Sequence, residues 1–153
     1  MARAKYQVLV LPYKKHNDKI LYCIFKRSDV DAWQFVAGGG EAEDASPLIS
    51  AKREAYEEAN IPVEAKYDEL ETVCSISTEG FKKARLVWGE TCLVIPEYCF
   101  AVEITDTQIM ISNEHTNFEW VDYQTALQRL KYDSNKVALW ELDNKIRLGI
   151  ISR

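Results

Sequence analysis

The sequence predicts a mixed α/β sandwich built as a single domain, residues 1–153, around one core. Three observations predict it. β-rich runs lead the chain, one amphipathic helix with a sharp start and stop occupies the middle, and helical segments close the C-terminal part. The order is not the regular strand and helix alternation of a dinucleotide fold, and the glycines at 38–40 lack the G-x-G-x-x-G pattern. A chain of 153 residues can bury such a core without disulfide or metal staples.

Residues 6–13 (YQVLVLPY) and 20–27 (ILYCIFKR) read as strands joined by a hairpin over the polar KKHND. Their nearly continuous apolar character predicts a sheet covered on both faces. After a polar loop at 28–31 comes a short strand at 33–36, then Gly38, Gly39 and Gly40, which allow a tight turn and close approach of backbone to a ligand. Ser46 reads as the N-cap of the central helix and Pro47 as its first residue, while Asn60 and Pro62 mark its end. Residues 66–77 read as a strand. Residues 78–90 (TEGFKKARLVWGE) read as a long hairpin loop with some strand in it, and a loop of that length is often functional. Strand candidates follow at 92–95, 98–104 and 118–121, the first two interrupted by Pro96. Residues 124–130 look helical, and Asp133 or Ser134 is expected to cap a last helix reaching about residue 148.

The central helix carries the chemistry. At about 100° per residue, Glu54, Glu57 and Glu58 share one side, and Leu48, Ala51, Ala55 and Ala59 another. Like charges at this spacing repel, and they sit at the helix end whose dipole disfavours negative charge. A cation removes both penalties. Hard divalent ions such as magnesium are held by carboxylates shared with substrate phosphates, so the cluster points to a metal-dependent site for a phosphorylated compound.

Composition narrows the partners. The hydrophobic share of 47% and charged share of 28% are those of an ordinary globular protein. A net charge of −5 argues against a nucleic-acid polymer or an anionic membrane as the main partner and favours a small molecule. Cys23, Cys74, Cys92 and Cys99 form no C-x-x-C pair and no zinc-like spacing with His16 and His115, so they read as reduced thiols. No signal-like or membrane-length apolar run is present, and the expected location is cytoplasmic.

Residues 53–61, REAYEEANI, resemble the signature of the Nudix hydrolases, G-x5-E-x7-R-E-U-x-E-E-x-G-U with U aliphatic. Arg53, Glu54, Glu57 and Glu58 take its R-E and E-E positions, Ala55 and Ile61 its U positions, and Asn60 its late glycine. The loop before the helix departs from it. Counting from Gly39 puts Ala45 where the first glutamate belongs, whereas counting from Gly38 puts Asp44 there with one extra residue before Arg53. In the family that glutamate steadies the loop and the later acids carry metal. FKRSDVDAWQFVAGG before the signature, and NEHTNFEWVD with SNKVAL after it, resemble the subgroup that hydrolyses dihydroneopterin triphosphate and dATP.

The resemblance implies a Nudix-type α/β/α sandwich with a mixed sheet, and hydrolysis of a nucleoside or pterin triphosphate to the monophosphate and pyrophosphate with Mg2+ or Mn2+. It implies Glu54, Glu57, Glu58 and Glu114 as metal ligands. It also implies a general base drawn from one of the signature glutamates or from Glu114, with Arg53 orienting a glutamate by an ion pair. Arg27, Trp33 and Gln34, with Gly38 and Gly39, are the expected substrate contacts: arginine matches phosphate, and tryptophan offers either a stacking face or a core contact. Lys82, Lys83 and Arg85 either attract the phosphates or form a solvated basic loop. Many relatives pair as homodimers, which leaves the oligomeric state open. Dinucleoside polyphosphates, nucleotide sugars, or a binding role with weak catalysis are the alternatives.

Overall fold

The computed structural model describes residues 2–151. Among the described residues seven strands form one mixed sheet: β1 (Arg3–His16), β2 (Lys19–Arg27), β3 (Trp33–Gln34), β4 (Val36–Glu41), β5 (Lys66–Ser77), β6 (Val94–Glu103) and β7 (His115–Val121). The helices are α1 (Pro47–Ala59), α2 (Lys82–Trp88), α3 (Tyr123–Arg129) and α4 (Asp133–Arg147). β1 is the organising strand. It runs parallel to β6 along one edge and antiparallel to β4 and then β2 along the other, so the sheet forks between β4 and β2.

Alternation along β1 divides the core into two layers. Leu9, Leu11 and Tyr13 point to one face and pack with Ala126, Leu130, Ala138, Leu139 and Leu142 of the C-terminal helices. Val8 and Val10 point to the other and pack with Ala51, Ala55, Ala59 and Ile61 of the central helix and its end. The α/β/α sandwich expected from the apolar strands is therefore the observed architecture. The small alanine face lets α1 sit close over β4 and β1, which brings its acidic side to the sheet edge.

Local signals hold where the chemistry is local. Asn17 and Asp18 turn the first hairpin at positive φ, the conformation a two-residue hairpin turn requires. The Ser46 hydroxyl accepts from the Ile49 N–H, Pro47 opens α1, and Asn60 closes it at φ 63°. Long-range packing overrides four expectations. The glycines are not a turn: they lie inside β4, paired to β1. A Cβ on Gly38 would overlap the Glu54 carboxyl, on Gly39 the Arg3 guanidinium and on Gly40 the Tyr6 ring, so absent side chains make room for protein groups crossing the strand. Residues 78–90 hold no strand but a 3-10 turn and α2, fastened by Trp88 Nε1–H donating to the Arg3 carbonyl at 2.9 Å. β6 runs straight through Pro96, where it borders β5 alone because its pairing with β1 begins at Glu97. Neither Asp133 nor Ser134 caps α4, whose cap position is Tyr132 with no side-chain bond.

Candidate active site

The cleft that gathers most of the predicted residues has a volume of about 910 Å³ and lies where β4, the C-terminal half of α1 and the start of α4 meet at one end of the sheet. Glu54, Glu58, Glu114, Arg27, Gln34, Gly38 and Gly39 line it. Trp33 does not: it packs against the core with Arg129 over its ring at 4.3 Å, the core alternative of the two left open. Arg53, Glu57, Lys82, Lys83 and Arg85 also stay outside the lining.

Glu58 is buried, 3% exposed, and neither of its carboxylate oxygens has a hydrogen-bond donor among the described residues. Burial first, then the neighbouring Glu54 and Glu114 carboxyls, push its pKa far up. Glu57 is pushed up more gently by burial and Glu54, and stays half open to solvent on the same helix. Glu114 reaches this side because the 105–114 connection is laced to the end of α1: Met110 N–H donates to the Ala59 carbonyl and Ser112 N–H to that of Glu58, each at 3.2 Å. Those bonds also satisfy carbonyls that a helix end leaves free. His115 is buried beside Phe25, its Nδ1 4.0 Å from Glu58 Oε1, and burial lowers its pKa so that it stays neutral.

Arg53 is the hub behind the acids. It donates to Asp44 Oδ2 at 2.8 Å, to Glu54 Oε1 at 3.2 Å and to the Gly39 carbonyl at 3.2 Å. Glu41 at 3.6 Å and Glu57 at 3.8 Å complete its ion pairs. Burial alone would lower its pKa, but Asp44, Glu54 and Glu41 outweigh that and raise it. Asp44 resolves the departure in the loop: its carboxylate also accepts from Ser50 Oγ at 2.5 Å and the Glu41 N–H at 3.0 Å, tying strand, loop and helix together. Burial opposes its charge, yet the Arg53 and Ser50 hydrogen bonds prevail and lower its pKa.

Arg27 stands at the opposite rim, bidentate to Asp29 and donating to Tyr132 Oη at 3.1 Å. The floor holds residues that sequence reasoning did not assign to ligand chemistry. Asn135 accepts from the buried Phe35 N–H at 2.8 Å and fixes α4 to the start of β4. Gln7, half-buried, and Glu97, buried among the strands, also open onto the cleft.

A divalent cation fits this site. A buried, donor-free carboxylate flanked by two more, with the neutral His115 beside it, is an oxygen-rich environment, which suits Mg2+ or Mn2+. Among the described residues no three acids, histidines or cysteines already form a finished ligand shell. Magnesium asks for less, since one or two carboxylates suffice when water and phosphate complete the shell.

Two helix layers on a forked mixed sheet, with an R-E-x-x-E-E helix over a glycine strand, define a Nudix hydrolase, and the chain belongs to that family: the NUDIX domain model matches residues 5–140. It is an enzyme of phosphoric anhydride bonds. Among curated relatives, the dihydroneopterin triphosphate diphosphatase of Haemophilus influenzae is 29% identical over 133 residues, 86% of this chain and 83% of that protein. Among solved structures, a Nudix hydrolase from Listeria monocytogenes is 39% identical with a TM-score of 0.85, covering 95% of this chain and 97% of that one. The Escherichia coli dihydroneopterin triphosphate pyrophosphohydrolase shares the fold at a TM-score of 0.74 and 23% identity, covering 94% and 99%. No helix among the described residues is long and apolar enough to cross a membrane.

Proposed function

We propose that this Nudix hydrolase cleaves a nucleoside or pterin triphosphate with water, giving the monophosphate and pyrophosphate, with Mg2+ or Mn2+ at Glu58, Glu54, Glu57 and Glu114. The buried, donor-free Glu58 carboxylate at the inner end of a cleft rimmed by Arg27 carries this reading. The relative named a dihydroneopterin triphosphate diphosphatase supports the triphosphate class.

When bound, a divalent cation held by these carboxylates would neutralise phosphate charge and make a water easier to deprotonate. The chain supplies the rest. Arg53 holds Glu54 toward the cleft and locks the loop through Asp44, so the acids are positioned before substrate arrives. One carboxylate among Glu54, Glu57 and Glu114 takes the proton of the attacking water as its oxygen bonds to phosphorus and the anhydride P–O bond breaks, with the leaving phosphate keeping the electron pair. Arg27 exchanges part of its Asp29 pairing for phosphate oxygens, a geometry its planar fork matches.

The test is pyrophosphate and orthophosphate release from nucleoside triphosphates, dihydroneopterin triphosphate, dinucleoside polyphosphates and nucleotide sugars, with magnesium, manganese or chelator, beside Glu57→Gln. Metal-dependent pyrophosphate release from triphosphates, abolished by the substitution, is expected. Preferred turnover of the dinucleotides or sugars would move the substrate class, and nucleotide binding without turnover would make the protein a binding module.

A further inference from the structure

Glu97 is 2% exposed, yet it belongs to the cleft floor. Its Oε2 accepts from Gln7 Nε2 at 2.9 Å, and Gln7 is itself oriented because Arg3 Nη2 donates to its Oε1 at 3.4 Å. Oε1 of Glu97 is buried with no donor among the described residues. Burial raises its pKa against the opposing hydrogen bonds of Gln7 and Ser134. No residue of the acidic helix explains this carboxylate. It lies on the α4 face of the sheet, in the same side-chain row as Cys99 and Ala101, whereas α1 covers the opposite face.

Its placement relative to the acidic helix is set by register. Glu97 pairs with Gln7, and Gln7 with Gly39, so two strand spacings, about 10 Å, separate Glu97 from the glycine strand that Glu54 crosses. Gln7, Glu97 and Ser134 line the same cleft as Glu54 and Glu58, so a ligand with phosphates at the two acids has these three within its reach.

We propose that Glu97 reads the heterocycle of the substrate, accepting two adjacent N–H groups from a 2-amino-4-oxo ring, the edge that pterin and guanine share. A carboxylate offers two acceptors side by side and no donor, which that edge complements. Adenine offers one amino N–H beside a ring-nitrogen lone pair, and the lone pair faces a carboxylate oxygen. Hypoxanthine keeps the ring N–H and loses the amino group. Binding the complementary edge also supplies the donor that Oε1 lacks, so a ligand without it leaves the buried acceptor unpaired.

The inference rests on the triphosphate reading of this cleft, and its test separates the two. Wild-type protein in chelator is titrated with neopterin, guanosine, inosine and adenosine, none of which carries phosphate. In parallel, kcat/KM is measured for dihydroneopterin triphosphate, dGTP, dITP and dATP with wild type and Glu97→Gln, whose fold is checked by thermal melting. The expected result is a preference of roughly 10- to 100-fold for the 2-amino-4-oxo rings over inosine and adenosine, the range of one bidentate contact. The same factor should shrink to within about threefold in Glu97→Gln. The wild-type comparison of guanosine with inosine decides the matter even if the variant does not fold. The ratio of neopterin to guanosine tells which source of the edge the cleft prefers. Equal binding and turnover across the rings, with triphosphates hydrolysed, would overturn the role of Glu97 and leave the proposed reaction standing. Selective ring binding with no hydrolysis would overturn the reaction and leave the ring reader standing.

Discussion

Replacing Glu58 with glutamine should make the metal-free protein more stable while removing its response to metal. In the wild type a carboxylate sits 3% exposed with two oxygens lacking donors and with Glu54 and Glu114 beside it. The amide keeps the shape, is neutral without having to take up a proton, and has an N–H that can donate to either neighbouring acid. Relief of one buried unsatisfied group is worth about 1–3 kcal/mol. In a domain of this size each kcal/mol moves Tm by about 2–4 °C, so Glu58→Gln in chelator should melt roughly 2–12 °C above wild type. The sign with pH is defined: the folded pKa of Glu58 lies above its unfolded value, so its contribution is fully present below the unfolded pKa, about 4.5, and is lost as pH rises. The gap between variant and wild type should therefore widen from pH 5 to pH 8. Adding Mn2+ should raise the Tm of wild type and leave the variant almost unmoved. Differential scanning calorimetry across pH, with and without Mn2+, measures all of this. A variant that melts below wild type in chelator at pH 8, or that is stabilised by Mn2+ as much as wild type, would refute the reasoning.

Three further substitutions probe the supports of the site. Asp44→Ala removes the acceptor shared by Arg53, Ser50 and the Glu41 N–H and should cost about 2–3 kcal/mol in urea unfolding, the scale of a charge-assisted hydrogen bond. Because the folded pKa of Asp44 is lowered, this loss should be seen above its unfolded pKa, about 3.8, and should fade as pH falls through the folded value. Gly38→Ala places a methyl on the Glu54 carboxyl and should weaken Mn2+ binding by about tenfold or more, one lost ligand interaction, read by calorimetric titration with circular dichroism as the fold control. Asn135→Ala leaves the Phe35 N–H buried without an acceptor and should lower stability by about 1–3 kcal/mol, checked by chemical denaturation.

Much of the frame was legible because its causes are local. The N-cap Ser46, Pro47 and the C-terminal Asn60 act within one helical turn, and α1 has the bounds they imply. Strand β5 likewise keeps the expected span, Lys66–Ser77. Elements that depend on distant contacts were not legible. Residues 82–88 carry mixed basic and aromatic character that suits a loop or a strand, and they become helical where Trp88 bonds the Arg3 backbone, 85 positions away. The glycines of β4 suggested a turn because glycine's conformational freedom is its commonest use. Here its missing side chain matters instead, since Glu54, Arg3 and Tyr6 cross the strand. Trp33 offered a stacking face or a core contact from sequence, and Arg129, 96 positions later, takes up its ring.

By itself the sequence determined that Glu54, Glu57 and Glu58 share a helix side, because a 3.6-residue period is intrinsic to the backbone and needs no partner. It also determined the faces of β1, through a period of two. Only the tertiary structure decided which of the three glutamates is buried, that Asp44 rather than Ala45 faces Arg53, that the 105–114 connection carries Glu114 to the end of α1, and that Glu97 opens onto the same cleft. Charge and hydrogen-bonding demand are set by surroundings. Those surroundings are assembled from strands and loops far apart in the chain, so spacing along it can nominate a carboxylate but cannot say how dry or how unpaired it will be.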